Sequence, residues 1–166
     1  MRRFELVTRW RVDAAADEVW RVLTDFAAIP SWWPGFERAD VLVATRGAEV
    51  VHYRIRGLLG VRLDFVQRTL RRRDGEYLWF RSDGDLTGTG IWNLTTIDGG
   101  TELVFTWRVG LGDGVLRWLA ELPFVRALLV RSHRDLMRAG RRALQARGRD
   151  AGSDRVLAHR RAEAIA

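Results

Sequence analysis

The most restrictive feature of the sequence is a change of hydrophobic period just after residue 110. Upstream, Leu63 and Phe65 alternate with Arg62 and Asp64, and Trp92 and Leu94 with Asn93 and Thr95. Leu103, Phe105, Trp107 and Val109 likewise alternate with Glu102, Thr106 and Arg108. A period of two puts one set of side chains on one face of a strand. After Gly114 the spacing turns helical: Val115, Trp118, Leu119 and Leu122, then Val125, Leu129, Leu136, Gly140 and Leu144. A sheet with one apolar face is thus followed by a rod with one apolar stripe. Neither is stable in water alone, and each is the only large partner the other has.

Between Phe36 and Gly110 the strands are divided by Arg46-Gly47, Gly57 to Gly60, Asp74-Gly75, Asp83-Gly84 and Asp98-Gly99-Gly100. These breaks predict six strands joined as hairpins in an antiparallel meander. A further β-leaning segment, Phe4 to Val12, ends at Asp13, which is expected to cap a helix carrying Val19, Trp20, Val22 and Leu23 on one face. A second short helix is expected from Asp25 to about Pro30, followed by an irregular aromatic loop, Ser31-Trp32-Trp33, between Pro30 and Pro34. Pro123 is expected to kink the terminal helix or split it in two. Residues 148–166, with Gly148, Gly152 and a capping Ser153, are expected to form a frayed tail or a short helix. The predicted fold is α+β: a curved antiparallel sheet of about seven strands around a long C-terminal helix, with two short helices after the first strand. One domain, residues 1–147, holds all of it.

Composition narrows the chemistry. The chain has 166 residues, 8 Trp and no Cys, so thiolate catalysis, disulfides and cysteine-ligated metals are excluded. Three scattered histidines show no metal-ligand spacing, and neither a metal nor a cofactor is expected. No apolar run approaches the roughly 18 residues of a membrane span, which favours a cytoplasmic protein. Net charge is +7, and residues 111–166 carry 12 Arg against 6 acids, whereas residues 1–110 carry 16 against 15. Much of that excess forms the stripe Arg131, Arg134, Arg138, Arg141 and Arg142, opposite the apolar stripe of the last helix. The stripe is read as a solvated face. The outer face of the sheet alternates in sign, so no nucleic acid is expected as a partner, while weak contact with a membrane surface is compatible with the charge.

Four segments carry a family resemblance. They are Asp13-Ala14-Ala15-Ala16-Asp17-Glu18-Val19-Trp20 with Leu23, Thr24 and Asp25; Trp32-Trp33-Pro34-Gly35; Gly84-Asp85-Leu86-Thr87-Gly88-Thr89-Gly90 followed by Trp92 and Leu94; and Ser132-His133-Arg134-Asp135-Leu136-Met137. Together with the element order, they resemble the START-like (SRPBCC) superfamily over about residues 3–147. This superfamily includes the birch-pollen allergen fold, lipid-transfer domains and polyketide cyclases. The last segment resembles an Asn-His-Asp-x-x-Met stretch of bacterial polyketide cyclase/dehydrase-like members, from which Ser132 and Arg134 depart. The resemblance implies a helix-grip fold with a cavity between sheet and helix for lipids, polyketides or similar molecules. It does not by itself imply catalysis.

Strand parity nominates the cavity walls: Tyr53, Leu63, Phe65, Phe80, Trp92, Phe105 and Trp107, with Leu129 and Leu136 from the helix. The alternative is that these side chains meet and fill the interior. His133 falls on the apolar stripe, where it is a candidate to orient a carbonyl or move a proton, with Tyr53 as a second candidate. The alternative is a buried histidine bonded to a backbone carbonyl or to Tyr53. Trp32 and Trp33 form either a rim over the cavity mouth, with Trp33 touching ligand, or a plug beneath the short helices. Gly88 and Gly90 are read as places where a strand bends or the helix comes close, not as a phosphate loop. Asp83 and Asp85 are read as turn formers and His52 as solvent-facing. The functional expectation is binding or transport of a hydrophobic small molecule. The alternatives are a metal-free polyketide aromatase/cyclase and a module that docks an acidic partner on the Arg stripe.

Overall fold

The computed structural model describes residues 4–57, 60–112 and 123–163, with side chains of the last segment described over 127–148. Strand β1 (Phe4–Val12) is followed by helix α1 (Ala16–Thr24), a 3-10 turn (Phe26–Ala28) and the one-turn helix α2 (Ile29–Trp32). Six strands come next: β2 (Phe36–Val43), β3 (Val50–Arg56), β4 (Arg62–Arg73), β5 (Tyr77–Gly84), β6 (Leu86–Ile97) and β7 (Gly100–Leu111). Helix α3 (Pro123–Glu163) completes the described chain. The strands form one antiparallel sheet in the order β1-β7-β6-β5-β4-β3-β2, so β1 and β2 are its two edges. This is the helix-grip architecture, with the apolar face of the sheet turned toward α3.

The alternation seen in the sequence is the alternation of burial. Leu63 and Phe65, Trp92 and Leu94, and Leu103, Phe105, Trp107 and Val109 are all buried, while Arg62, Asn93, Thr95 and Arg108 are exposed. Trp10 lies 5.3 Å from Trp33 and 5.1 Å from Trp92, ring centre to ring centre, and Trp32 stacks on Trp33 at 5.3 Å. Such pairs add about 0.5–1.5 kcal/mol each beyond the area they bury. On the outer face Glu37 accepts from both Arg56 and Arg62, and Asp64 receives Arg54. His52 sits there too, 3.2 Å from Asp64. Asp85 ties β4 to the β5–β6 turn, accepting the Asp64 amide at 2.8 Å, while Asp83 pairs with Arg81.

Several local expectations change. Asp13 does not cap α1: Ala15 occupies the N-cap without a side-chain bond. Asp13 instead clasps Gln145 of α3, its amide donating to Oε1 at 3.1 Å and its carboxylate accepting from Nε2 at 3.0 Å. Long-range docking thus takes the side chain that local preference assigns to a cap. The segment between the prolines is not a loop, because Pro30 stands in the first turn of α2, where a missing N–H costs nothing. Asp25 caps the preceding 3-10 turn. The described part of the terminal helix begins at Pro123. The helical run Val115, Trp118, Leu119 and Leu122 lies outside the described residues.

Helix α3 continues through Gly148 and Gly152 to Glu163, so no separate helix starts at Ser153. Gly148 serves a close approach instead of a stop: a Cβ there would come within 2.8 Å of the Ala14 Cβ. At Gly88 and Gly90 the close approach is likewise to sheet atoms. A Cβ on Gly90 would strike the Phe80 ring at 2.3 Å, and one on Gly88 would strike the Arg108 carbonyl oxygen of β7 at 2.0 Å. Among the described residues no helix is long and apolar enough to cross a membrane.

A divided cavity between the sheet and the last helix

The inner face of the sheet is an aromatic floor set by register. Tyr53 of β3 lies opposite Phe65 of β4, and Trp92 of β6 opposite Phe105 of β7. The second pair stacks with ring centres 4.4 Å apart. Gly90 pairs with both Phe80 and Trp107 in the two neighbouring strands. Its missing side chain is the space that the Phe80 ring occupies.

Above that floor, α3 presents Leu129, His133, Leu136, Met137, Gly140 and Leu144 at helical spacing. Trp33 holds the middle of this stripe. Its Nε1 donates to the Leu136 carbonyl oxygen at 3.0 Å, and its ring sits where a Cβ on Gly140 would be, 2.4 Å from Cε2. Helix α3 is therefore bolted at Leu136–Gly140 by Trp33 and at Gln145 by Asp13. Toward its N-terminal end, His133 Nε2 meets Thr8 Oγ1 of the sheet at 3.3 Å.

Two cavities of about 70 Å³ each lie between helix and sheet. The deep one is bounded by Trp33, Tyr53, Phe65, Phe80, Trp92, Phe105, Trp107, His133 and Leu136. The outer one is bounded by Leu63, Trp107, Leu129, His133 and Leu136, with Phe4, Leu6, Leu86 and Leu111. All eleven side chains nominated from the sequence thus border one or both spaces, and Ile55, Trp107, His133 and Leu136 form the partition between them. The interior is mostly filled. Either space admits only a few heavy atoms, against the roughly 300–1,000 Å³ of a drug-sized site. Trp32 and Trp33 are 6% and 5% exposed, so they act as the plug and not as a rim.

Polar atoms on these walls are few. Among the described residues the Tyr53 hydroxyl and the Trp107 Nε1 are buried without a hydrogen-bond partner. Burial pushes the Tyr53 phenol well above its usual range, so it stays protonated. Burial lowers His133 to about 4, so its imidazole is neutral at pH 7. Its ring lies 6.2 Å from Phe105 and 5.9 Å from Trp107. The partner of His133 is Thr8, and it makes no hydrogen bond to Tyr53, although both side chains border the deep cavity. Among the described residues no three His, Asp or Glu side chains gather as a metal site.

Strand parity, followed one step further, would have added Gln67, which continues Leu63 and Phe65 into the deep cavity, and Thr8, which continues Phe4 and Leu6. Ile55 follows Tyr53 in the same way. Met137 lies four residues after His133 and three before Gly140, so the helical period would have added it as well.

Residues 3–148 match the family described as polyketide cyclase / dehydrase and lipid transport, and the chain belongs to that family. Solved structures share its fold. An aromatase/cyclase from Streptomyces sp. R1128 superposes with TM-score 0.74 at 20% identity, covering 89% of this chain and 94% of the other. A START superfamily protein from Mycobacterium smegmatis gives 0.69 at 15% identity, covering 89% and 98%. The di-domain aromatase/cyclase of the BE-7585A biosynthetic pathway gives 0.62 at 18% identity, covering 86% of this chain and 50% of that one. No curated protein matches the sequence.

Proposed function

We propose that the protein binds an apolar small molecule between the sheet and α3. One observation carries this reading: on the mostly apolar walls of the cavities, the Tyr53 hydroxyl and the Trp107 Nε1 are buried without a hydrogen-bond partner among the described residues. Leaving such groups unpaired costs about 1–3 kcal/mol each, a cost that a guest bearing an acceptor oxygen relieves. The guest has to enlarge the space it enters. The partition of Ile55, Trp107, His133 and Leu136 gives the route, because moving His133 and Leu136 away from Trp107 merges both cavities. The bolts at Trp33 and Asp13 hold α3 beyond that point, so the opening falls on the helix N-terminal to Leu136. Titration with anthrone, a polycyclic aromatic ketone, tests the reading. Saturable 1:1 quenching of tryptophan emission supports it, and unchanged emission up to the solubility limit contradicts it.

A second reading, polyketide aromatase/cyclase activity, is favoured by the neutral imidazole of His133 against the cavity. A neutral imidazole can accept a proton, and its Thr8 hydroxyl neighbour can orient it. Two of the superposed structures are named aromatase/cyclases. Turnover of a poly-β-ketone lost in His133→Ala, with anthrone affinity retained, supports this second reading. Unchanged turnover removes it.

A further inference from the structure

His133 borders a third space as well as the two cavities. On the outside of the seam between β1 and α3 lies a groove of about 330 Å³, walled by Val7, Thr8 and Arg9 on one side and by Arg134, Arg138 and Arg141 on the other. Leu6, Val130 and His133 bound both this groove and the outer cavity. Among the described residues these three side chains lie between the two spaces, and the Thr8–His133 contact crosses the seam.

The charge of the groove is one-sided. Arg9 is paired with Glu102 and Arg138 with Asp135, whereas Arg134 and Arg141 have no acidic partner among the described residues. Both are exposed and lie two turns apart on the same helix face. The strand opposite them is an edge, bonded to β7 on one side only, so its other side offers unpaired backbone groups to the groove. Among the described residues no carboxylate side chain lines this space.

We infer that this groove is the mouth of the cavity and that the ligand is an amphipathic monoanion. Its acidic group rests between Arg134 and Arg141, and its apolar body passes His133 into the outer cavity. Guanidinium groups fit a carboxylate through paired N–H donors, and water around them screens but does not abolish the attraction. The inference rests on the apolar-ligand reading above and adds the ligand's charge and the point where it passes inside.

The test uses the full chain and two fluorescent probes that differ in charge alone, cis-parinaric acid and its methyl ester, in low salt at pH 7.5. The expected result is that both bind and that the acid binds roughly fivefold to tenfold more tightly, as two exposed ion pairs allow. Arg134→Gln/Arg141→Gln is expected to erase that preference while leaving ester affinity within about twofold. Arg68→Gln/Arg71→Gln, which removes the same charge from the outer face of β4, is expected to keep it. Equal binding of acid and ester by the unaltered protein overturns the inference while leaving the apolar-ligand reading intact. So does a preference that survives in the first variant or disappears equally in both. If neither probe binds, the apolar-ligand reading falls and takes the inference with it.

Discussion

The Trp33 indole occupies the space left by the missing side chain of Gly140, and from there its N–H reaches the Leu136 carbonyl oxygen at 3.0 Å. A glycine in mid-helix costs about 1 kcal/mol relative to alanine, so its presence needs a compensating contact. That contact fixes the height of α3 above the sheet, and with it the size of the two cavities.

Gly140→Ala is accordingly expected to destabilise the protein in spite of the better helix propensity. The new Cβ would stand 2.4 Å from an indole wedged between Trp10, Trp32 and Phe36. Overpacking of about 1–3 kcal/mol together with a lost hydrogen bond of about 1 kcal/mol outweighs a propensity gain of about 1. Urea denaturation reads the balance, and a midpoint equal to or above that of the unaltered protein would refute it.

Tyr53→Phe is expected to leave the empty protein as stable as before, or more stable by about 1 kcal/mol, because the deleted hydroxyl is buried without a partner among the described residues. The same change should weaken binding of a ketone more than binding of the matching hydrocarbon. Thermal unfolding and paired titrations measure the two effects. A loss of stability of 2 kcal/mol or more would mean that the hydroxyl is satisfied within the fold.

His133 makes stability depend on pH in a defined window. Its folded value is depressed to about 4 from an ordinary 6.5, so the unfolded chain binds the proton more readily. The contribution is complete above pH 6.5 and is lost as the pH falls toward 4. His133→Phe is expected to reduce the stability difference between pH 7 and pH 4.5, measured by urea denaturation at each pH. An unchanged difference would show that the ring is solvated.

Arg72 joins β4 to the core through three contacts: an ion pair with the buried Glu49, a 2.9 Å bond to Asp74, and its guanidinium 5.2 Å above the Trp20 ring. Arg72→Ala leaves Glu49 without that cation and is expected to cost about 2–4 kcal/mol. Arg72→Lys is expected to recover less than half, since an ammonium cannot serve both carboxylates and the ring face in one geometry. Calorimetric unfolding of the two variants separates these outcomes.

The sheet was legible because alternation survives in nearly every strand, and the glycine-rich breaks fall where the strands end. Cavity residues were legible for the same reason: parity sends Tyr53, Phe65, Phe80, Trp92, Phe105 and Trp107 to one face. What stayed hidden depends on contacts distant in sequence. Asp13 looks like a cap until Gln145, 132 residues later, takes it. Gly140 and Gly148 look like weak points of a helix until Trp33 and Ala14 are packed against them. The Thr8–His133 contact spans 125 residues, and no local pattern marks it. The partition that divides the cavity is also invisible in one dimension, because it needs Ile55, Trp107, His133 and Leu136 brought together from three elements.

The central claim is that the space under α3, which holds two small cavities among the described residues, opens to hold a guest. Native mass spectrometry of the full chain, after incubation with anthrone and removal of the excess, tests it most directly. The account predicts one non-covalent adduct per chain, reduced in Tyr53→Phe. A spectrum showing the bare protein mass alone, at ligand concentrations near the solubility limit, would contradict it.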